Sequence, residues 1–309
     1  MIGFGERIYM NQDQDFDVAV IIVGLNARDY VKDSIASVLS SDWGQYSPEV
    51  IYIDNGSSDG SAEMVEQTYP EVHLIANPDN LGFCIAANQG ARIARSRYYF
   101  FLNDDTLVRP DAIPLLVRHL DAHSELGAAG SRLLNTDGTD QWSGRRYPTK
   151  WNAIFGRRSW LSRWFPNMPA LTDYLYRKEI EHGEPFIADW VSAAAMLVRK
   201  DVFWAVGGFA EDYYYWHEAV ICDRIRRAGH EIVLHPQSKI MHYEGKGSGP
   251  RPYPVQRWHI IDFHRGAFRS YCEHYDLGGG HPLRLCVGGA LAMRALSLLL
   301  LTRFRTWLT

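Results

Sequence analysis

Phe100-Phe101-Leu102-Asn103-Asp104-Asp105-Thr106 is the stretch from which the fold can be read. Residues 98–102 form an apolar run of strand length, and it leads straight into an Asn and two adjacent carboxylates. Buried strands often end in turn residues, but two neighbouring acids repel each other. A divalent cation bound to a diphosphate relieves that repulsion, and hard oxygen ligands suit Mg²⁺ or Mn²⁺. The competing reading is a pair of turn acids facing solvent.

The segments around this tip repeat its form. Residues 18–23 are apolar and rich in β-branched side chains, as expected of a strand buried on both faces. Residues 26–40 follow at near-helical spacing. A second buried strand over 50–53 ends in Asp54-Asn55-Gly56-Ser57-Ser58-Asp59-Gly60, and a helix is expected over 61–68. A strand over 72–75, a helix over 82–94 and the strand over 98–102 complete the alternation. Such alternation implies right-handed βαβ units and an α/β fold with a Rossmann-like, mostly parallel central sheet flanked by helices. Ligands of these sheets bind beyond the carboxyl ends of the strands. Asn26, Asp54 and Asp104-Asp105 all fall there.

Downstream, Pro110 and Asp111 signal a helix over 110–119. Residues 142–185 are irregular and rich in Trp, Arg, Tyr and Pro, with Trp151, Trp160, Trp164 and Arg157-Arg158 among them. That composition suits a mobile lid or an acceptor-facing loop. Residues 189–200 are small and apolar. Helices are expected over 201–206, stopped by Gly207-Gly208, and over 217–228, stopped by Gly229. Residues 231–234 and 240–243 read as edge strands.

The chain has 309 residues, 46% hydrophobic and 22% charged, which is ordinary for a globular domain with an appendage. A formal charge of −4 gives no support for nucleic-acid binding. The charge is uneven. Residues 251–309 carry eight Arg against three acids, a net of about +5, which leaves about −9 for the rest. Cys84, Cys222, Cys272 and Cys286 lack CxxC spacing and read as reduced, mostly buried cytosolic thiols. Residues 1–17 lack a basic region followed by an apolar stretch, so no secretion signal is expected.

Several motifs occur in a telling order: the opening strand to Asn26, then Ile53-Asp54-Asn55-Gly56-Ser57-Ser58-Asp59-Gly60-Ser61. Asn77-Pro78-Asp79-Asn80-Leu81-Gly82-Phe83 with Asn88 comes next, then Leu102-Asn103-Asp104-Asp105-Thr106. Val206-Gly207-Gly208-Phe209 with Glu211-Asp212, and His242 with Gly245 and Ser248, close the series. In this arrangement the chain resembles the family 2 glycosyltransferases of the GT-A fold, in their rhamnosyltransferase-like branch that works on bacterial surface polysaccharides. The resemblance covers about residues 17–250, leaving 1–16 as an N-terminal extension and 251–309 as a C-terminal helical tail.

The resemblance implies roles for particular residues. Asp105 would bind the cation directly, Asp104 would take the middle position of the metal motif, and Asn103 would reach the ribose or a metal-bound water. His242 would add a metal or pyrophosphate contact, and neutral imidazole is a competent ligand for Mn²⁺. Asp54 at a strand tip can accept a hydrogen bond from uracil or thymine N3–H, or instead cap its own turn. Asn26 belongs to the same nucleotide-facing edge. Asn80 and Gly82 would let the backbone pass close to the nucleotide. Asp189 would meet a sugar hydroxyl, with Trp190 as a stacking platform or a core residue. The aromatic run through Trp216 would stack on the acceptor or pack in the core.

Two places depart from the family pattern. The opening strand ends Gly24-Leu25-Asn26, without the usual aromatic before Asn. The usual acidic pair after Gly-Gly-Phe is replaced by His217-Glu218-Ala219. Counted from Phe209, Glu218 is the first acid of the pair; counted back from Arg226-Arg227-Ala228-Gly229, it is the second. Either way Glu218 is the carboxylate left to act as general base, with His217 as rival and an impaired site as the third reading. Asp223, five residues on, should face elsewhere on a helix.

Residues 285–301 are almost entirely apolar, interrupted by Arg294 and Ser297. Seventeen residues with a central Arg is short for a span, so the segment suits a helix on a membrane face, or a contact with another subunit in a homo-oligomer. The expectation is therefore an inverting, metal-dependent transferase at the inner face of the cell membrane, peripheral and cytoplasmic. It would move a sugar, L-rhamnose from dTDP-rhamnose, to a glycan or lipid-linked glycan acceptor. A UDP-hexose or UDP-galactofuranose donor is the alternative within the class, and a silent sugar-nucleotide-binding subunit the alternative outside it.

Overall fold

The nine residues Phe16–Gly24 form strand β1, and their alternate side chains enter two different cores. Ala19 and Ile21 point to one face of the sheet, Val18, Val20 and Ile22 to the other, all fully buried. This is why the run is apolar at every position rather than at every second one. The computed structural model describes residues 16–148, 169–243 and 253–308. The expected N-terminal extension, apart from Phe16, lies outside the described residues, as do Trp151, Trp160, Trp164, Arg157-Arg158, Gly245 and Ser248.

Strands β2 (Pro48–Asp54) and β4 (Ser96–Asn103) flank β1, both parallel to it, with Val20 opposite Val50 on one side and Phe100 on the other. Strand β3 (His73–Ala76) extends the parallel half beyond β2. Helices α1 (Arg28–Leu39) and α2 (Ser61–Thr68) cover one face. Helix α3 (Phe83–Ile93) covers the other. The second half of the sheet is mixed. It contains β5 (Thr106–Val108), β6 (Leu126–Leu134), β10 (Ala195–Arg199) and β11 (Glu231–His242), in the order β3-β2-β1-β4-β10-β6-β11-β5. β10 runs antiparallel to both neighbours, so the βαβ rule ends at β4. Helix α4 (Ala112–Ala122) joins α1 and α2 on their face.

Three short strands complete the sheets. β7 (Gly144–Arg145) pairs with β9 (Trp190–Val191), and β8 (Phe186–Ile187) pairs with β11. Helices α5 (Pro169–Tyr174) and α6 (Arg177–His182) precede β8. Helices α7 (Lys200–Ala205) and α8 (His217–Arg227) lie on the α3 face through Phe203, Ala219 and Cys222.

The sequence reading is corrected in two places. Residues 231–234 and 240–243 are not edge strands. They are the two ends of β11, which pairs with β6 on one side and with β5 and β8 on the other. A register shift between His235 and Lys239, around Pro236, explains why one strand read as two. β6, Leu-Gly-Ala-Ala-Gly-Ser-Arg-Leu-Leu, was not expected at all. Its small residues are what the packing demands. A Cβ on Gly130 would sit 2.6 Å from Val191 Cβ, so only glycine lets β9 lie against β6.

The C-terminal residues form two helices, α9 (Tyr253–His274) and α10 (Pro282–Leu308). Tyr271, Cys272, Leu277, Val287 and Leu291 make a small core between them. α10 is longer than the residues 285–301 suggested. Pro282–Phe304, 23 residues, is long and apolar enough to cross a membrane. Arg294, read as an interruption, is half-buried on the stripe that continues Val287 and Leu291 towards α9.

Candidate active site

Every strand of the parallel half ends at the same edge, and the loops there are stitched together by polar side chains. Asn26, at φ 51°, sits in the left-handed region between β1 and α1. Its Oδ1 accepts the Ser58 N–H at 2.8 Å, and its own N–H donates to Ser57 Oγ at 2.9 Å. Asp54, 2% exposed at the tip of β2, accepts the Ser57 N–H at 2.8 Å and the Tyr52 hydroxyl at 3.2 Å. The turn-capping bond is thus present, and it holds the carboxylate in a fixed place. Asn55 Nδ2 donates to Asn80 Oδ1 at 3.0 Å, and Asn80 Oδ1 also accepts the Gly82 N–H at 2.9 Å. Gly82 has φ 85° and opens α3.

The acidic tip joins this seam. Leu25 N–H donates to Asp104 Oδ2 at 3.1 Å, tying β4 to the loop after β1. Burial, then the neighbouring Asp105 carboxylate, push Asp104 up to about 7. The repulsion inferred from sequence is therefore a property of the folded tip.

Asp105 has a partner from across the sheet. The antiparallel pairing of β5 with β11 sets Thr106 opposite His242, and Asp105 O accepts the Tyr243 N–H at 2.9 Å. His242 Nε2 lies 3.1 Å from Asp105 Oδ1 and 3.2 Å from Asn103 Nδ2. The ring's other nitrogen, Nδ1, is 2.7 Å from Gln141 Oε1. Asn103 and Asp105 of one tip form a single cluster with His242, 139 residues on from Asn103. Among the described residues no group of three or more His, Cys, Asp or Glu could hold a metal. The protein side would thus be Asp105 and His242, an oxygen and an imidazole nitrogen. That donor set fits Mn²⁺ or Mg²⁺ when the diphosphate supplies further oxygens.

Glu218 lies in the first turn of α8, where a helix N-terminus favours a carboxylate. Its side chain is 20% exposed and 3.5 Å from His217 Nε2. His217 Nδ1 faces the Tyr214 carbonyl at 3.1 Å, and its ring stacks on Phe83 with centroids 4.8 Å apart. The start of α3, which carries Gly82, therefore lies against the start of α8. Ala219 is fully buried in the core, and its carbonyl accepts the Tyr147 hydroxyl at 2.7 Å. Asp223 is turned away, hydrogen-bonded to His274 at 2.8 Å and to Arg227 at 2.9 Å.

Asp189 and Trp190 are held by protein partners of their own. Asp189 accepts the Tyr147 N–H and the Arg226 guanidinium, both at 2.8 Å, and so braces α8 against the Tyr147 segment. Trp190 is buried, donates to Arg146 O at 3.0 Å, and lies beneath the Arg145 guanidinium. The indole is packed as a core residue is. Trp216 is half-buried at φ 70°, with its Nε1 donating to Phe263 O at 3.1 Å. The four cysteines are free, and Cys286 is exposed. Gln141 was missed by sequence reasoning, since nothing near it in the chain marks it.

The fold, with ligand loops gathered at the ends of a mixed sheet, is the GT-A glycosyltransferase fold. The profile of "Glycosyl transferase family 2" matches residues 19–206, and the chain belongs to that family. Within it the chain is rhamnosyltransferase-like. It is 28% identical, over 80% of its length and 81% of the relative's, to the N-acetylglucosaminyl-diphospho-decaprenol L-rhamnosyltransferase of Mycobacterium tuberculosis. It is 32% identical to the succinoglycan biosynthesis protein ExoO of Rhizobium meliloti, over 85% of this chain and 70% of that one. Among solved structures it is similar to the mannosyltransferase PcManGT of Pyrobaculum calidifontis, in complex with GDP-Man and Mn²⁺. The TM-score is 0.57 at 18% identity, over 96% of this chain and 82% of that one.

Proposed function

We propose that this family 2 glycosyltransferase transfers L-rhamnose from dTDP-rhamnose, with inversion, to a lipid-linked glycan. The observation that carries the reading is the Asp105–His242 pair, 3.1 Å apart at the end of the nucleotide-facing edge. The mycobacterial relative supports the sugar and the lipid-linked acceptor. The complex of the structural neighbour PcManGT with GDP-Man and Mn²⁺ supports a divalent cation.

In this reading Asp105 and His242 hold Mg²⁺ or Mn²⁺, which supplies charge neutralisation for the departing diphosphate. Asn26, Asp54, Asn80, Gly82, Asn103 and Asp104 line the nucleotide's path, with Asp54 accepting from the pyrimidine N3–H. Glu218 removes the proton from the acceptor hydroxyl as that oxygen bonds to the anomeric carbon and the bond to diphosphate breaks. His217 and Trp216 stand beside it.

The apolar outer face of α10 would lie in a membrane, where Leu285, Met293, Leu296, Leu300 and Phe304 are exposed to whatever surrounds the helix. Such a contact would keep the enzyme beside a lipid-linked substrate, peripheral at the cytoplasmic face.

Calorimetric titration with dTDP-rhamnose, UDP-glucose, UDP-galactofuranose and GDP-mannose in the presence of Mn²⁺ tests the donor. Tightest binding of dTDP-rhamnose, with slow release of free rhamnose, is expected. Preference for GDP-mannose would refute the pyrimidine role of Asp54. Binding without any hydrolysis or transfer would favour a silent sugar-nucleotide-binding subunit.

A further inference from the structure

A buried carboxamide costs stability unless each of its polar atoms is matched. Gln141, 5% exposed, lies between β6 and β7, 101 residues from His242 in sequence. Its Nε2 donates to His242 O at 2.7 Å and to Asn135 Oδ1 at 2.9 Å. Its backbone N–H donates to Leu133 O at 3.0 Å. The neighbouring Asp140 is gripped by both Arg132 Nε and Nη2, which fixes the loop on β6.

The orientation of the Gln141 amide follows from these partners. A backbone carbonyl can only accept, so the amide nitrogen faces His242 O and the amide oxygen faces the ring. Oε1 can only accept, so His242 Nδ1, 2.7 Å away, carries the proton. Nε2 is the ring nitrogen left facing the acidic tip, 3.1 Å from Asp105 Oδ1 and 3.2 Å from Asn103 Nδ2. A cation seated at Asp105 would meet this nitrogen in place of a proton, and a ligand's other ring nitrogen is ordinarily held as Gln141 holds Nδ1.

We infer that Gln141 is the positioning residue of the metal site. It fixes the tautomer and ring plane of His242 before any cation arrives. The inference rests on reading Asp105 and His242 as metal ligands.

Two measurements on the full chain test it. Nitrogen-15 NMR of histidine-labelled protein reports the His242 tautomer. Mn²⁺ electron paramagnetic resonance, with and without dTDP, reports metal affinity. The wild-type ring should carry a proton on Nδ1. Gln141→Leu should mix the tautomers and weaken Mn²⁺ binding by about 10- to 100-fold. Gln141→Glu, which keeps the acceptor, should recover part of that loss. A wild-type ring with no proton on Nδ1 would overturn the inference without any variant. So would a Gln141→Leu protein that binds Mn²⁺ normally while His242→Ala does not. If His242→Ala and Asp105→Asn both bind Mn²⁺ like wild type, the metal reading itself fails.

Discussion

Glu218 owes its place to the residue that follows it. The Ala219 side chain points into a closed core, where a carboxylate would lose its hydration and gain no partner. Two ways of counting along the chain left open which member of an acidic pair Glu218 represents. Burial of Ala219 makes the counting immaterial, because the partly exposed position is 218. Glu218→Gln keeps shape and hydrogen bonding but cannot take a proton. It should retain nucleotide affinity and lose at least ~100-fold in turnover, the scale of a general base. Turnover near wild type would pass the role to His217. Local sequence marks Asp105, Asp54 and Glu218 as candidates because each stands at the end of a strong strand or helix pattern. The contacts of Asp189 and Trp190, and that of Gln141 with His242, could not be placed from sequence, since those partners lie 30 or more residues away.

Among elements, the parallel half of the sheet was legible and the mixed half was not. β1, β2 and β4 announce themselves by unbroken apolar runs ending in polar tips. β6 is built of Gly and Ala because β9 lies close against it, so it lacks the usual strand composition. β11 bends at Pro236, and just before the bend it buries His235 beside His119, with Nδ1 unpartnered. Burial, then His119 and Arg118, depress His235 to about 4. The unfolded chain takes up this proton at the ordinary value near 6.5, before the folded chain does. Stability from His235 is therefore fully present above that value and lost as pH falls towards the folded one. Urea unfolding at pH 7.5 and 5.0 should show wild type losing about 1–3 kcal/mol more than His235→Leu. Parallel losses in the two proteins would remove His235 as the acid-sensitive point of β11.

At the scale of the molecule, charge and greasiness are separated. The acidic strand edge gathers the nucleotide loops, while the basic, apolar tail forms a helical hairpin. If the outer face of α10 meets lipid, the intact chain should co-sediment with anionic vesicles. Removal of residues 282–308 should abolish sedimentation and leave transfer to a short water-soluble acceptor intact. Sedimentation of the shortened chain would place the membrane contact elsewhere. The hairpin is also anchored to the catalytic body. Tyr213 OH donates to Glu273 Oε1 at 2.8 Å, Arg269 pairs with Asp212, and His274 holds Asp223.

Gly266 marks the tightest of these contacts. A Cβ there would come within 3.0 Å of Tyr215 O and 3.1 Å of Trp216 Cδ1, the two residues that lead into His217 and Glu218. α9 is thus moulded around the entry to α8. A chimaera that borrowed a relative's last two helices would also borrow a new setting for His217 and Glu218.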